Sequence, residues 1–223
     1  MIEIFYRNVW YPDDYVEKGK GRPEWFNFED CYLSIIGQPN TSINEVIDLS
    51  RRDGVLVEVN DKYFEIKAGT DQLAFLELMK IIEKKKFDDD QIIYIVENDY
   101  MHIDGWAEVL IEGFECGDYV TLYDHPDKYA DYEGLKSEIF VTKSCHWRTI
   151  PSTTNTFAVK YGTLKEDIDL HKYYAEYGIQ GLAHDHTKFL DLGNKGRRIV
   201  SSIPGYSTHC NNYLSPCVDW SKI

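Results

Sequence analysis

The chain contains no run of about 18 consecutive apolar residues, so nothing in it reads as a membrane-spanning helix. Its first residues, Met1-Ile2-Glu3-Ile4-Phe5-Tyr6, lack the charged region and following apolar stretch of a secretory leader. Positive charge is scarce: 24 Lys and Arg stand against 38 Asp and Glu, a formal net charge of -14. That balance excludes a basic groove tracking phosphates, so nucleic acid is not an expected partner. The five cysteines (Cys31, Cys116, Cys145, Cys210, Cys217) are an odd set with no CxxC pair. Neither a disulfide framework nor a zinc site is indicated, and reduced thiols in the cytoplasm of the producing or host cell are expected. Linkers, internal repeats and low-complexity segments are also missing. With 223 residues and 43% hydrophobic content, the chain has material for one substantial core.

What is present begins with Ile92-Ile93-Tyr94-Ile95-Val96-Glu97-Asn98-Asp99-Tyr100. Five consecutive β-branched or aromatic residues read as a strand covered on both faces, as in a parallel, helix-flanked sheet. The run ends in two carboxylates spaced i, i+2. Ligands of open α/β sheets bind just beyond the carboxyl ends of strands, so Glu97 and Asp99 lie where a divalent cation and a phosphorylated ligand are expected. An acidic turn after a strand has the same composition.

The rest of the chain alternates strands and helices. Residues 1 to 10 read as a first strand, and Tyr11 to Trp25 as an exposed loop. Residues 55–59 and 63–66 read as a hairpin turning at Asn60-Asp61-Lys62. A helix opens at Gly69-Thr70-Asp71 and ends in Lys84-Lys85-Lys86, where cations suit the helix C-terminus. The acidic run 88–90 is assigned to a solvated loop. Further expectations are a helix from Gly105-Trp106 to Phe114, a strand at 119–123, and a metal-capable or structural loop at 124–129. A second hairpin over 138–148 and 153–160, helices at 163–178 and 186–193, and a last strand at 198–203 complete the reading.

On these residues the sequence resembles small GT-A glycosyltransferases, in particular short viral and bacterial members with an acidic Glu-Asp/Asn-Asp-Tyr signature after a buried strand. The similar blocks are Glu97 to Tyr100, Tyr119 to Tyr129 (with DYVTLYDHPDKY from 118), His146 to Thr156 (HWRTIPSTTNT), Ala183 to His186 and Ile203 to Trp220. They span most of the chain from residue 92 onward. The resemblance implies a single α/β domain of GT-A type, Rossmann-like, with a mixed, mostly parallel central sheet flanked by helices. About 1–123 would form the nucleotide-binding half and about 124–223 the acceptor and sugar half.

The resemblance also implies roles. A nucleotide-sugar, most simply a UDP-sugar, would carry its diphosphate on Mn²⁺ or Mg²⁺, with a glycan or other hydroxyl acceptor and no insertion into membrane. Asp99 matches the direct metal ligand and His209, in Ser207-Thr208-His209, the late histidine ligand; imidazole with carboxylate favours Mn²⁺. Glu97 stands where the family usually has Asp, which leaves a ribose contact and a metal contact both open. Asn98 lies within the motif. Tyr6 and Arg7 close the first strand where this fold begins its nucleotide pocket, and Asp71 is a candidate for nucleobase or ribose. As base of an inverting transfer, Asp185 is the first candidate and Asp167 the second, although Asp at a helix start is also an ordinary cap. His146, Trp147, Arg148 and Thr153 are candidates for the acceptor or sugar surface. Two other classes remain open: a metal-dependent phosphoester hydrolase using Glu97, Asp99, Asp124 and His209, and a non-catalytic carbohydrate-binding module.

Overall fold

The computed structural model describes residues 1–9, 21–50, 63–130, 132–177 and 184–223. In chain order these form β1 (Ile2–Val9), α1 (Phe28–Ile35), β2 (Thr41–Asp48), β3 (Tyr63–Ile66), α2 (Asp71–Glu83), β4 (Ile92–Glu97), β5 (Tyr100–His102), α3 (Trp106–Gly113) and β6 (Tyr119–Thr121). There follow α4 (Asp127–Ala130), β7 (Ile139–Val141), β8 (His146–Thr149), β9 (Phe157–Lys160), α5 (Tyr161–Glu176), α6 (Asp185–Asn194), β10 (Ile199–Ile203) and β11 (Ser207–His209).

Nine strands form one sheet in the order β3-β2-β1-β4-β9-β6-β10-β8-β7, and β11 pairs with β5 in a small second sheet. The pairings give β1, β2, β3, β4, β6, β7 and β10 one direction and β8 and β9 the other. The sheet is therefore mixed and mostly parallel, as expected. Alternation along the strands explains why β4 is apolar at every position from Ile92 to Val96. Ile93 and Ile95 face a core built with α2, α5 and α6, around Phe75, Leu164 and Phe189. Ile92, Tyr94 and Val96 face the other, built with α1 and α3 around Ile35 and Trp106. A strand sealed on both faces loses its period-two polarity.

Local chemistry sets the helix starts that matter for the site. Thr70 caps α2 by accepting the Leu73 N–H at 3.2 Å, which fixes Asp71 as the first helical residue. Helix α5 begins at Tyr161, directly after β9, and α6 begins at Asp185 itself rather than one residue later.

Tyr63–Ile66 is a strand and pairs in parallel with β2; the other expected hairpin arm, 55–59, lies outside the described residues, as does 11–20 of the expected loop. The second hairpin is β7 with β8, whereas β9 lies between β4 and β6 elsewhere in the sheet. Helix α1 and strand β2 went unread because each is short and only partly apolar: β2 carries Asn44, Glu45 and Asp48 buried among its hydrophobic residues. Among the described residues, no helix is long and apolar enough to cross a membrane.

Candidate functional site

The parallel strands β1 and β4 run in register to the pair Arg7 and Glu97, so both side chains emerge at the same carboxyl edge of the sheet. Arg7 bridges two acids: Nη1 lies 3.3 Å from Glu97 Oε1, and Nη2 binds Asp71 through both its carbonyl, at 2.9 Å, and its carboxylate, at 2.5 Å. The guanidinium also sits over the Phe75 ring at 5.6 Å. Strand β9 brings Thr156 to the same point. Its hydroxyl donates to Glu97 Oε2 at 3.3 Å and accepts the Glu97 N–H at 3.2 Å. Burial, followed by the nearby Asp71 carboxylate, pushes the Glu97 carboxyl up to about 7, against the pull of Arg7.

Two residues on, Asp99 is buried and meets a strand from the far end of the chain. Strand β11 pairs His209 with Tyr100 of β5, and His209 Nε2 lies 3.0 Å from Asp99 Oδ2. The imidazole stacks on Tyr100 with centroids 4.8 Å apart, while Asn211 Nδ2 lies 3.0 Å from His209 Nδ1. Arg22 Nη2 donates to the same Asp99 oxygen at 2.8 Å, and Arg22 Nη1 donates to the Cys210 carbonyl at 2.7 Å. One hard oxygen and one imidazole facing each other suit Mn²⁺ or Mg²⁺. Among the described residues, no group of three or more His, Cys, Asp and Glu side chains gathers as a metal cage. Asp99 and His209 are the two candidate donors that the fold brings together there.

Tyr6 and Asn98 both bond to the protein's own backbone. Tyr6 is buried and its hydroxyl donates to the Asn98 carbonyl at 3.2 Å; the Asn98 amide donates to the Val9 carbonyl at 3.0 Å. Both tie the acidic motif to the end of β1. A small recess of about 10 Å³, room for about one water molecule, lies at the ends of β1, β2 and β3 and is lined by Arg7, Asn8, Val9, Val46, Asp48, Ile66 and Ala74. Asp48 accepts N–H bonds from Ser50, Ala68 and Gly69, which hold its carboxyl low against the effect of burial.

The two candidate bases separate clearly. Asp185 starts α6, accepts the His186 N–H at 2.8 Å, and has its carboxyl raised by burial with Lys188 pulling the other way. Asp167 is corrected: it is buried against Arg197 Nε at 2.7 Å and the Tyr119 hydroxyl at 3.0 Å. Tyr119 is the first residue of β6, so this ion pair lies at the amino end of the parallel strands, away from Glu97 and Asp99.

Lys188, unremarked in the sequence, is 1% exposed and donates to Asn155 Oδ1. Its ammonium lies 4.2 Å from the Phe75 ring centroid. Burial lowers it to about 7, with Asp185 opposing and Arg7 adding to the shift. The folded protein thus sheds this proton well below the ordinary lysine value of about 10.4. Stability should therefore rise as pH climbs from about 7 to about 10, because the unfolded chain binds more protons there. Lys188→Met has no such proton. In thermal melts it should exceed the native chain at pH 7, and the gap should close toward pH 10; parallel curves would refute this account.

The predicted acceptor residues disperse. Trp147 is fully buried, donates to Thr142 Oγ1 at 3.0 Å, and packs where a Cβ on Gly113 would come within 2.7 Å of its ring. Arg148 is buried in an ion pair with Asp124 Oδ1 and stacks over Tyr129 at 4.4 Å. Both are corrected from surface to interior. His146 is exposed at the start of β8. Thr153 is half-buried in the loop before β9; its neighbours carry the contacts, Thr154 accepting the Tyr100 hydroxyl at 2.8 Å and Thr156 holding Glu97.

No protein-family model matches the chain, and no curated protein matches it. Solved structures with a similar chain path include the Francisella tularensis 2-C-methyl-D-erythritol 4-phosphate cytidylyltransferase, 13% identical, covering 95% of this chain and 93% of that one, with a TM-score of 0.49. A CMP:2-keto-3-deoxy-manno-octonic acid synthetase complexed with CTP is 12% identical over 92% of both chains, at 0.49. The galactosyltransferase LgtC, in complex with donor and acceptor sugar analogs, is 11% identical over 89% of this chain and 72% of that one, at 0.47.

Proposed function

We propose that this protein is a metal-dependent glycosyltransferase that moves a sugar from a nucleoside-diphosphate sugar, a UDP-sugar in the simplest case, to a hydroxyl of a glycan, with inversion. The observation that carries this reading is the convergence of Asp99 and His209, 110 residues apart, to 3.0 Å at the edge where β4 delivers Glu97. Asp99 Oδ2 and His209 Nε2 would hold Mn²⁺, and the bound ion supplies positive charge against the diphosphate as it departs. Arg22, already on Asp99, places a second cation at the same point.

The chain's own residues account for the rest. Arg7 and Thr156 fix Glu97 from two sides, so the acidic edge is oriented before a ligand arrives. The acceptor oxygen attacks the anomeric carbon, the bond to the diphosphate breaks with its electron pair leaving on the nucleotide, and the hydroxyl proton passes to the Asp185 carboxylate. Lys188 opposes the upward shift that burial gives Asp185.

The hydrolase reading requires Asp124 beside Asp99. Asp124 is fully buried and held by Arg148 and by the Tyr129 hydroxyl, and among the described residues no three His, Cys, Asp or Glu side chains gather to hold a metal. Incubating the protein with UDP-, GDP-, CMP- and dTDP-sugars, with and without Mn²⁺, tests the proposal. Mn²⁺-dependent release of nucleotide from one nucleotide class is expected, with UDP-sugars turned over first. Absence of release from every donor, with or without saccharide acceptors, counts against it.

A further inference from the structure

The aromatic rings around His209 continue outward as a row. Tyr123 meets Tyr100 edge-on at 5.6 Å and His209 at 6.3 Å. It also meets His125 at 5.2 Å, and His125 stacks on Tyr213 at 5.3 Å with 25° between the planes. The row begins beside buried Asp99 and ends at Tyr213, which is 52% exposed. The outer members are fixed in place. The Tyr213 N–H donates to Asn211 Oδ1 at 2.7 Å and its carbonyl accepts the Tyr123 hydroxyl at 2.5 Å. His125 Nδ1 accepts the Asp127 N–H at 3.1 Å and lies 2.8 Å from the Asp127 carboxylate.

A single exposed aromatic needs no explanation. A rigid, half-exposed ring at the end of a stack that leads into an acidic site is a different object. Its backbone is pinned on both sides, so little conformational freedom is left to lose on binding. A pyranose offers a flat face of C–H groups rimmed by hydroxyls. Tyr213 supplies the matching apolar face, and the partly exposed His125 and Asp127 supply hydrogen-bonding groups at its edge. With a chain charge of -14, a neutral sugar is favoured over an anionic one.

We infer that the His125–Tyr213 stack, with Asp127 at its edge, is a saccharide-binding subsite that receives a neutral pyranose of the acceptor glycan. What the saccharide does there rests on the transferase reading; whether it binds does not. The subsite is built from residues 123–127 and 211–213, beyond the ends of β6 and β11, and not from His146, Trp147 or Thr153.

Saturation-transfer NMR with a panel of methyl glycosides of neutral hexoses, pentoses and 6-deoxyhexoses tests it on the native chain, Tyr213→Ala and Tyr213→Phe. The midpoint shift produced by UDP with Mn²⁺ is recorded for each protein, so the donor side is read separately. At least one glycoside should contact the native chain, weaken about fivefold to tenfold in Tyr213→Ala, and recover in Tyr213→Phe, which keeps the ring. That result supports the subsite even if UDP fails to bind, in which case the transferase reading alone falls. No contact with any glycoside, or equal affinity in Tyr213→Ala, overturns the subsite whatever UDP does.

Discussion

Asp99→Asn is expected to abolish Mn²⁺-dependent nucleotide binding and to lower sugar transfer by at least about 10³-fold, a loss of about 4 kcal/mol in transition-state stabilisation. The substitution preserves volume and the capacity to hydrogen-bond His209, but it removes the charge that pairs with Arg22 and would pair with a divalent ion. Because Asp99 is buried, its formal charge is felt strongly by any cation placed against it. His209→Ala should give a smaller loss, since it deletes a neutral donor and leaves the carboxylate. Titrating Mn²⁺ in the presence of UDP, and following donor turnover, checks both. Full activity in Asp99→Asn would show that the acidic motif is a turn and no more.

Arg148→Met should destabilise the fold by about 3–5 kcal/mol, because it leaves Asp124 fully buried without its countercharge. The Tyr129 hydroxyl and the Ser215 hydroxyl, which accepts the Asp124 N–H at 3.1 Å, would remain. Neither supplies positive charge, and Lys128, which also draws the Asp124 carboxyl down, is paired with Asp127. Burial already raises the Asp124 carboxyl against the pull of Arg148, so the variant should be closest to the native chain at low pH, where that carboxyl is protonated. Urea unfolding across pH measures this. Adding Asp124→Leu should restore much of the loss, since an apolar pair replaces a stranded charge. A stability change under about 1 kcal/mol would return Arg148 to the acceptor surface where the sequence placed it.

The parts of the molecule that could be read from sequence are those where one signal dominates. Strand β4 announces itself by unbroken β-branched and aromatic residues, because both of its faces are sealed. The acids that follow the apolar run mark the candidate site, and an acidic turn after a strand has the same composition. Helix α2 is legible from Thr70, from its apolar spacing and from the lysines after it. Strand β2 was not legible, since Glu45 and Asp48 are buried by partners that sequence cannot name, namely Tyr32 and the N–H groups of Ser50, Ala68 and Gly69.

Side-chain roles were harder than positions. His146-Trp147-Arg148 looked like sugar-binding surface, yet alternation along β8 sends Trp147 and Arg148 to opposite faces and both are covered, Trp147 against Gly113 and Arg148 against Asp124. Asp167 and Asp185 are alike in sequence, each an acid near a helix start. What distinguishes them is the end of the sheet they reach, which depends on topology. Lys188 carries no sequence flag at all, although it lies one turn after Asp185 on α6 and so shares that helix face.

The central claim, that Asp99 and His209 form half of a site completed by a metal-bound nucleotide, is tested most directly by calorimetric titration of Mn²⁺ with and without UDP. The measurement should be made on the native chain, Asp99→Asn and His209→Ala. Two protein donors alone bind the ion weakly, so UDP should tighten Mn²⁺ binding at least about tenfold, and by linkage Mn²⁺ should tighten UDP equally. Both effects should vanish in Asp99→Asn and shrink in His209→Ala. Mn²⁺ binding that ignores UDP, or that survives unchanged in both variants, would contradict the account.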